Sequence, residues 1–236
     1  MVLAELISLK GVITIKLDMN QIMNKLKFKR PIFHSEADFQ FALAWEIQRE
    51  FPEVEVRLEY AYKIEDKIYH IDILVINENE YIPIELKYKT LKKSVIFEAE
   101  EFHLKNHGAQ DLGKYDLLKD VIRVENVLQD HEKFVNGHVI MLTNDPSYWK
   151  KDSKENICCT EFSIADGRVV IGSMAWAEHT GAGTMKNREE PIVLEGSYNL
   201  NWNDFSKFDD KRNGQFRYLL LDVERKTLFF NIPKTE

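Results

Sequence analysis

Residues 71–76 read IDILVI, and residues 84–87 read IELK. The first stretch is almost continuously apolar, which is typical of a central strand buried on both faces. Asp72 interrupts this run, and Glu85 and Lys87 interrupt the next one. Charged groups in buried strands are costly unless they are paired or bind a metal ion. These two stretches therefore mark both the centre of the predicted sheet and the candidate site for chemistry.

Both stretches belong to a predicted meander of three antiparallel strands. The strands are Val54–Tyr62, Tyr69–Ile76 and Tyr81–Tyr88, and polar turns join them at Glu65–Lys67 and Asn77–Glu80. Short polar turns of this kind connect antiparallel neighbours. The meander thus supplies three adjacent strands of one sheet.

A helix is predicted over residues 35–51, before the meander. Ser35 can cap its first turn, with Asp38 where a capping box places its acid, and Pro52 ends it. One apolar stripe repeats every four positions: Phe39, Leu43, Ile47 and Phe51. This stripe indicates a helix that packs one face on the core.

A second helix is predicted over Ala109–Asp130, and Gly137 separates it from a fourth strand at His138–Thr143. Four apolar residues share its buried face: Leu117, Val121, Val124 and Leu128. A helix between two strands is a crossover, which places parallel strands side by side. The sequence therefore predicts an α/β fold with a mixed central sheet flanked by helices.

The segments on either side of this core leave alternatives open. Residues 1–33 form an N-terminal extension, either with a strand around Val12–Leu17 or as a loosely attached segment that ends in the basic stretch Lys25–Arg30. Residues 34–144 form the core. Residues 145–236 form a β-rich C-terminal extension or subdomain, which either extends the central sheet or forms an appendage.

Turn and strand patterns subdivide the C-terminal segment. Asp166-Gly167 is a hairpin signal. Four strands are predicted there: Phe162–Ala165, Arg168–Met174, Ile192–Leu200 and Phe216–Val223. Glu178–Pro191 is predicted to be a loop.

Composition narrows the class of protein. A net charge of −7 argues mildly against a protein that coats DNA regardless of sequence. The two cysteines, Cys158 and Cys159, are adjacent and cannot build a disulfide framework, so a reducing setting is expected. Met1–Asp18 contains neither a signal-peptide core nor the roughly 20 apolar residues of a membrane span. We therefore expect a cytoplasmic protein with no membrane partner.

The three interrupting charges suit phosphodiester hydrolysis. Strand alternation places Glu85 and Lys87 on one face and Leu86 on the other, and a tight turn would bring Asp72 close to them. Two carboxylates can hold Mg²⁺ or Mn²⁺ through the oxygen ligands that these ions prefer. The lysine can position or deprotonate the attacking water. The alternative is a cross-strand salt bridge on a solvated sheet face.

This pattern, with Asp72 in one strand and Glu85-Leu86-Lys87 in the next, resembles the metal-binding core of the PD-(D/E)XK nuclease superfamily. The resemblance implies a restriction-endonuclease-like fold over residues 35–143, in the order helix, three-strand meander, helix, strand, with a β-rich C-terminal extension left unexplained. It also implies metal-dependent cleavage of nucleic acid, DNA rather than RNA, with the Leu86 carbonyl as a further metal ligand and a homodimer as one possible assembly. The superfamily's proline before the aspartate is absent, because His70-Ile71 stands there.

Two longer stretches, His34–Ile47 and Gly108–Glu125, also resemble a group of uncharacterised bacterial proteins with this core. That resemblance implies the fold and leaves the substrate open.

The superfamily adds an acidic residue from the first helix and often a glutamine or lysine from the second. Glu36 lies at the centre of the apolar stripe, whereas Glu46 lies to one side and Glu50 lies near the far end, so Glu36 is the predicted outer or second-metal contact. The alternative is an acid that only favours the helix dipole at its N-terminus. Gln110 is the predicted phosphate contact, with Lys114 a weaker candidate.

Several other sequence features have a structural interpretation as well as a functional one. The run Lys87, Lys89, Lys92 and Lys93 either contacts a phosphate backbone or forms a solvated face. The seven histidines show no metal-ligand spacing, and His103 and His107 lack a third ligand. As a different class of function, the same fold can serve as a nucleic-acid-binding or protein-interaction module with little catalysis. A third alternative is a phosphodiesterase for a smaller phosphate ester.

Overall fold

The computed structural model describes residues 7–9, 12–14, 17–152 and 157–226. It contains four α-helices within these ranges: α1 (Met19–Lys29), α2 (Glu36–Glu50), α3 (Gln110–Asp130) and α4 (Ala182–Met185). Its strands, in chain order, are β1 (Ile7–Leu9), β2 (Val12–Thr14), β3 (Glu55–Ile64), β4 (Lys67–Asn77), β5 (Glu80–Lys89), β6 (Lys93–Phe97), β7 (Glu100–Leu104), β8 (Asn136–Thr143), β9 (Val169–Met174), β10 (Ile192–Asn199), β11 (Trp202–Lys207) and β12 (Gln215–Glu224).

The central sheet has six strands in the order β11-β12-β8-β5-β4-β3. Strands β3, β4 and β5 form the predicted antiparallel meander, and β5 pairs in parallel with β8 after the α3 crossover. Strand β12 then pairs antiparallel with β8. The α/β class and the mixed sheet are thus confirmed.

Helix α2 forms as its sequence predicts. The Ser35 hydroxyl accepts a hydrogen bond from the backbone N–H of Asp38 at 3.2 Å, which caps the first turn. Phe39, Leu43 and Ile47 are fully buried on one stripe. The helix ends immediately before Phe51 and Pro52.

The sheet separates two apolar cores. One core lies on the α2 side and includes Ile73, Ile84 and Leu86. The other lies on the α3 side and includes the predicted α3 stripe together with Leu74 and Val139. Both faces of the sheet are covered, which explains the almost continuous apolar character of the central strands.

The N-terminal segment contains a helix that the sequence interpretation missed. Asp18 caps α1 by accepting a hydrogen bond from the N–H of Gln21 at 2.9 Å, and α1 packs on α2 through its buried apolar side chains. Those side chains are Met19, Ile22, Met23 and Leu26. Part of the predicted strand at Val12–Leu17 forms β2, while residues 15–16 lie outside the described residues.

The C-terminal segment both extends the sheet and adds to its α3 side. Strands β11 and β12 join the central sheet, so the predicted boundary at residue 144 does not mark a break in the core. The predicted strand at Phe162–Ala165 is wrong, because a short 3₁₀ turn over Thr160–Phe162 occupies its start. The partner of β9 is therefore β10 rather than a strand across Asp166-Gly167, and the predicted loop between β9 and β10 contains α4.

Glu125 fastens the β9–β10 pair to α3. Its buried carboxylate accepts hydrogen bonds from the N–H groups of Glu195 and Gly196 at 3.1 and 2.7 Å, and from the Tyr198 hydroxyl at 2.7 Å. The two N–H groups lie where the β9–β10 register shifts, so no strand partner can take them. One side chain thus satisfies three donors.

Replacing Glu125 with alanine should lower the free energy of unfolding by about 2–3 kcal/mol, because it leaves buried donors without acceptors. Urea denaturation of Glu125→Ala measures the loss. Asn126→Ala, at an exposed position of the same helix turn, should change stability by less than about 0.5 kcal/mol. Equal effects of the two substitutions would contradict the assignment.

No helix in the described ranges is long and apolar enough to cross a membrane.

Candidate functional site

A fork in the sheet creates the candidate site. Strands β4 and β5 pair only as far as Ile73 opposite Ile84. Beyond that pair, β5 continues beside β8 to Lys89, while β4 continues beside β3. Asp72 and Glu85 are the first residues past the last pair, so both lie where the strands separate.

The fork leaves backbone donors of β5 without a strand partner, and two carboxylates take them. Asp72 Oδ2 accepts from the Leu86 N–H at 2.6 Å, and Glu36 Oε2 accepts from the Tyr88 N–H at 2.7 Å. Buried N–H groups need acceptors, so both carboxylates have a structural reason to point into the fork. Glu36, at the start of α2, is thereby placed beside the candidate residues of β4 and β5.

The other two candidate glutamates of α2 point elsewhere. Glu46 pairs with Lys29 at 2.7 Å, and Glu50 pairs with Lys25 at 2.5 Å. Both lysines belong to α1, so these acids join two helices rather than contribute to the fork.

Gln40 links the backbone of Asp72 to the side chain of Glu59 on the neighbouring strand. Gln40 of α2 donates to the Asp72 carbonyl at 2.6 Å and to the Glu59 carboxylate at 2.9 Å. Glu59 adopts a left-handed conformation with φ 51° opposite Asp72, where the regular β3–β4 pairing skips one position. This local irregularity coincides with the fork.

Helix α3 supplies two charged residues that the sequence interpretation missed. Lys87 Nζ lies 2.5 Å from Asp120 Oδ2, and Arg123 Nη1 lies 2.5 Å from Glu85 Oε2. Arg123 also lies 3.4 Å from Asp120 Oδ1. Asp120 falls within the apolar stripe of α3, three residues after Leu117. A charge inside a buried stripe is the same signal that marked Asp72.

The site carries an excess of negative charge when its groups are ionised. Among the described residues, four carboxylates, from Glu36, Asp72, Glu85 and Asp120, interact with the two cations of Lys87 and Arg123. Glu85 is only 1% exposed, and its Oε1 has no hydrogen-bond partner among the described residues. A buried, unpartnered carboxylate oxygen calls for an explanation such as a bound cation.

Burial and mutual repulsion raise the pKa values of the site carboxyls. Burial, opposed by the Leu86 N–H and the Lys87 charge, raises the pKa of Asp72 to about 6. Burial and the charges of Asp120 and Asp72 raise the pKa of Glu85. These effects require the carboxylates to lie within electrostatic reach of one another.

The neighbouring carboxylates also shift the pKa of Lys87, and for this cation their negative charge favours the protonated form. Burial lowers its pKa, but the negative charges of Asp120, Glu36 and Asp72 outweigh burial and leave it raised. Lys87 is therefore an ammonium group at neutral pH in this arrangement. Its Nζ also donates to the Leu86 carbonyl at 3.2 Å, so it reaches over the backbone of the fork.

The structure does not bring Gln110 to the fork. Its amide donates to Asp145 Oδ2 at 2.9 Å, because Asp145 is buried after β8 and needs donors. Lys114 is also turned away, with its ammonium 3.1 Å from Asp152 Oδ2.

The chemistry of the donor set suits a hard divalent cation, but the ligands are partly engaged. Asp72, Glu85 and the Leu86 carbonyl offer oxygen atoms of the type that Mg²⁺ and Mn²⁺ prefer. Among the described residues, however, no group of three Asp, Glu, His or Cys side chains is already arranged to hold a metal ion. Arg123 occupies one oxygen of Glu85. A cation would therefore have to replace the Arg123 contact to use both oxygens.

Comparisons with family models, with curated proteins and with solved structures found no significant match.

Asp72→Asn should raise the free energy of unfolding by about 3 kcal/mol at pH 8, because asparagine can still accept from the Leu86 N–H and carries no buried charge. The folded-state pKa near 6 lies above the unfolded value, so the cost of Asp72 develops as the pH rises from about 4 to 6. The gain should therefore vanish near pH 4. Urea denaturation at pH 4, 6 and 8 measures it.

Asp66→Asn is the matched control, since Asp66 is exposed in the β3–β4 turn. It should leave stability unchanged at all three pH values. A loss of stability in Asp72→Asn at pH 8 would show that the carboxylate is favourably placed in the fold and contradict the expected cost.

Proposed function

We propose that the fork is the active site of a metal-dependent nuclease of the PD-(D/E)XK type, with DNA as the preferred substrate. The observation that carries the proposal is the unpartnered, buried oxygen of Glu85 beside Asp72, in a site with more carboxylates than cations. The sequence pattern and the order of elements from α2 to β8 support the same reading.

The residues of the fork have separate roles in this proposal. Asp72, Glu85 and the Leu86 carbonyl hold Mg²⁺ or Mn²⁺, and Glu36 supplies an outer or second-metal contact. When bound, the ion lowers the pKa of a water molecule and offsets negative charge on the phosphate. Lys87, as an ammonium group, orients the attacking water or stabilises a phosphate oxygen. A role for Lys87 as a general base requires a lower pKa than this arrangement gives it.

Asp120 is a positioning residue in the same proposal. Its carboxylate is buried and lies 2.5 Å from the Lys87 ammonium, which fixes the direction of a long and otherwise mobile side chain. A lysine held in this way loses less conformational entropy when it engages the substrate.

A specific observation also favours the second candidate, a catalytically weak binding or interaction module on the same fold. Each site residue of β5 already has a partner of opposite charge on α3: Arg123 for Glu85 and Asp120 for Lys87. A site closed by internal ion pairs can persist without a metal ion. The two candidates therefore differ in whether a cation displaces Arg123.

Metal binding followed by cleavage separates the candidates. Titration of the wild type with Mn²⁺ by calorimetry should show binding, and Mn²⁺ should support cleavage of plasmid or oligonucleotide DNA. Asp72→Ala should lose metal binding, while Lys87→Ala should keep much of it and lose cleavage by at least about 100-fold. Asp66→Ala should behave as the wild type. A wild type that neither binds Mn²⁺ nor cuts any nucleic acid would establish the module reading.

Arg123→Gln tests the competition directly. Removing the cation that occupies Glu85 Oε2 should tighten Mn²⁺ binding severalfold, because the ion no longer replaces an ion pair. The same substitution should lower stability without metal, since it leaves a buried charge unpaired. Thermal denaturation with and without Mn²⁺ should therefore show a larger metal-dependent rise in Tm than the wild type. An unchanged or smaller rise would mean that Arg123 does not compete with the ion.

A further inference from the structure

A cleft of about 260 Å³ opens beside the fork. It shares Glu36 and Tyr88 with the fork, and its other lining residues come from the segment before α2, from the end of β5 and from the segment after β7. Three basic side chains from the last two segments line it: Lys89, Lys105 and His107. The sequence pattern does not group these three residues, because Lys89 lies 16 residues before Lys105.

The two lysines of the cleft lack the partners that neighbouring lysines have. Lys87 pairs with Asp120, and Lys93 pairs with Asp209 at 2.7 Å. Neither Lys89 nor Lys105 forms an ion pair with any residue in the described part of the chain. The Glu36 carboxylate also lines this cleft, but its Oε2 accepts from the Tyr88 N–H, so among the described residues the two ammonium groups have no ion-pair partner.

His107 adds a neutral donor of fixed tautomer. The backbone N–H of Thr90 donates to the ring Nδ1 of His107 at 2.9 Å, and the backbone N–H of His107 donates to the Thr90 carbonyl at 2.7 Å. Because Nδ1 accepts, the hydrogen of the neutral ring is on Nε2. The Thr90 hydroxyl donates to the Lys105 carbonyl at 2.7 Å, so the same threonine also fixes the backbone next to Lys105.

The residues that line the cleft just before and at the start of α2 already have partners. His34 Nε2 contacts the Glu100 carboxylate at 2.8 Å, and the His34 ring stacks on Phe102 with centroids 4.3 Å apart. Ser35 caps α2 with its hydroxyl. The positive end of α2 points toward the same space and adds a favourable field for an anion.

We propose that this cleft binds a phosphate group of the substrate strand, next to the phosphate that reacts at the fork. Lys89 and Lys105 supply its charge neutralisation, and His107 Nε2–H supplies a directed hydrogen bond. The proposal rests on the proposed nuclease function for its substrate, but the binding site itself does not require catalysis. The phosphate is either a terminal monoester, which would make the enzyme select strand ends, or an internal diester.

Binding is measured by fluorescence anisotropy in EDTA, so that neither metal nor cleavage contributes. The probes are single-stranded oligonucleotides of one sequence with a 5′-phosphate, a 3′-phosphate or no terminal phosphate. Lys89→Gln and Lys105→Gln should each weaken binding about 5–10-fold. Each should also reduce the slope of log K against log salt by about 0.7, the value for one lost phosphate contact on a single strand. His107→Asn, which keeps an acceptor for the Thr90 N–H, should weaken binding less and leave the slope unchanged.

Lys92→Gln is the matched control, because Lys92 is an exposed lysine of the same segment outside the cleft. It should bind as the wild type does. A preference for one phosphorylated end that disappears in Lys89→Gln identifies a terminal phosphate, and equal losses on all probes identify an internal one. The proposal is overturned if the two cleft variants lose no more affinity than Lys92→Gln, or if the wild type binds none of the probes.

Failure of this proposal is distinguishable from failure of the nuclease function. If the wild type cuts DNA with Mn²⁺ and both cleft variants bind and cut equally well, the cleft is not a phosphate site, while the fork remains an active site. If the wild type never cuts but the cleft variants lose binding, the phosphate site stands on a protein without nuclease activity.

Discussion

The separation of β4 from β5 after the Ile73–Ile84 pair is the constraint on which the site depends. A strand that leaves its neighbour exposes N–H groups that must find other acceptors. Here the acceptors are the carboxylates of Asp72 and Glu36. The need to satisfy the backbone therefore gathers negative charge at the point where the sheet opens, and helix α2 must pack with its first turn at that point to deliver Glu36.

The negative charge at the fork has to be offset by cations, and helix α3 supplies one from the other side of the sheet. Glu85 is almost completely buried, which raises its pKa, and the Arg123 cation from α3 opposes that effect. Asp120 and Lys87 repeat the arrangement one turn away. Such pairs offset their own desolvation poorly, so they are weak reasons for stability. In the proposed function, the same charges would hold the metal ion and act on the phosphate.

Much of this arrangement was predictable, and the reasons differ from residue to residue. Asp72, Glu85 and Lys87 interrupt apolar strands, so local pattern was enough to single them out. Glu36 was chosen by helical periodicity among three acids, after the resemblance implied an acid from the first helix. Asp120 was missed although it interrupts the α3 stripe in the same way. Gln110 was assigned to phosphate from its helix position and the resemblance, whereas its partner is the buried Asp145 after β8. The insertion of β12 beside β8 is a pairing across about 80 residues, and no local pattern specifies it.

The fork and the neighbouring cleft place two lysines of β5 in opposite electrostatic environments. Lys87 and Lys89 are two positions apart on β5, about 7 Å along the strand. The first is neutralised by Asp120 within an acidic site, whereas the second has no such partner in the described chain. An acidic site suits a metal ion and repels a bare phosphate, while a basic cleft attracts one. In the proposed function, a phosphate chain would enter at the cleft and a cation would occupy the fork. A net charge of −7 does not oppose this arrangement, since only the local field has to favour the substrate.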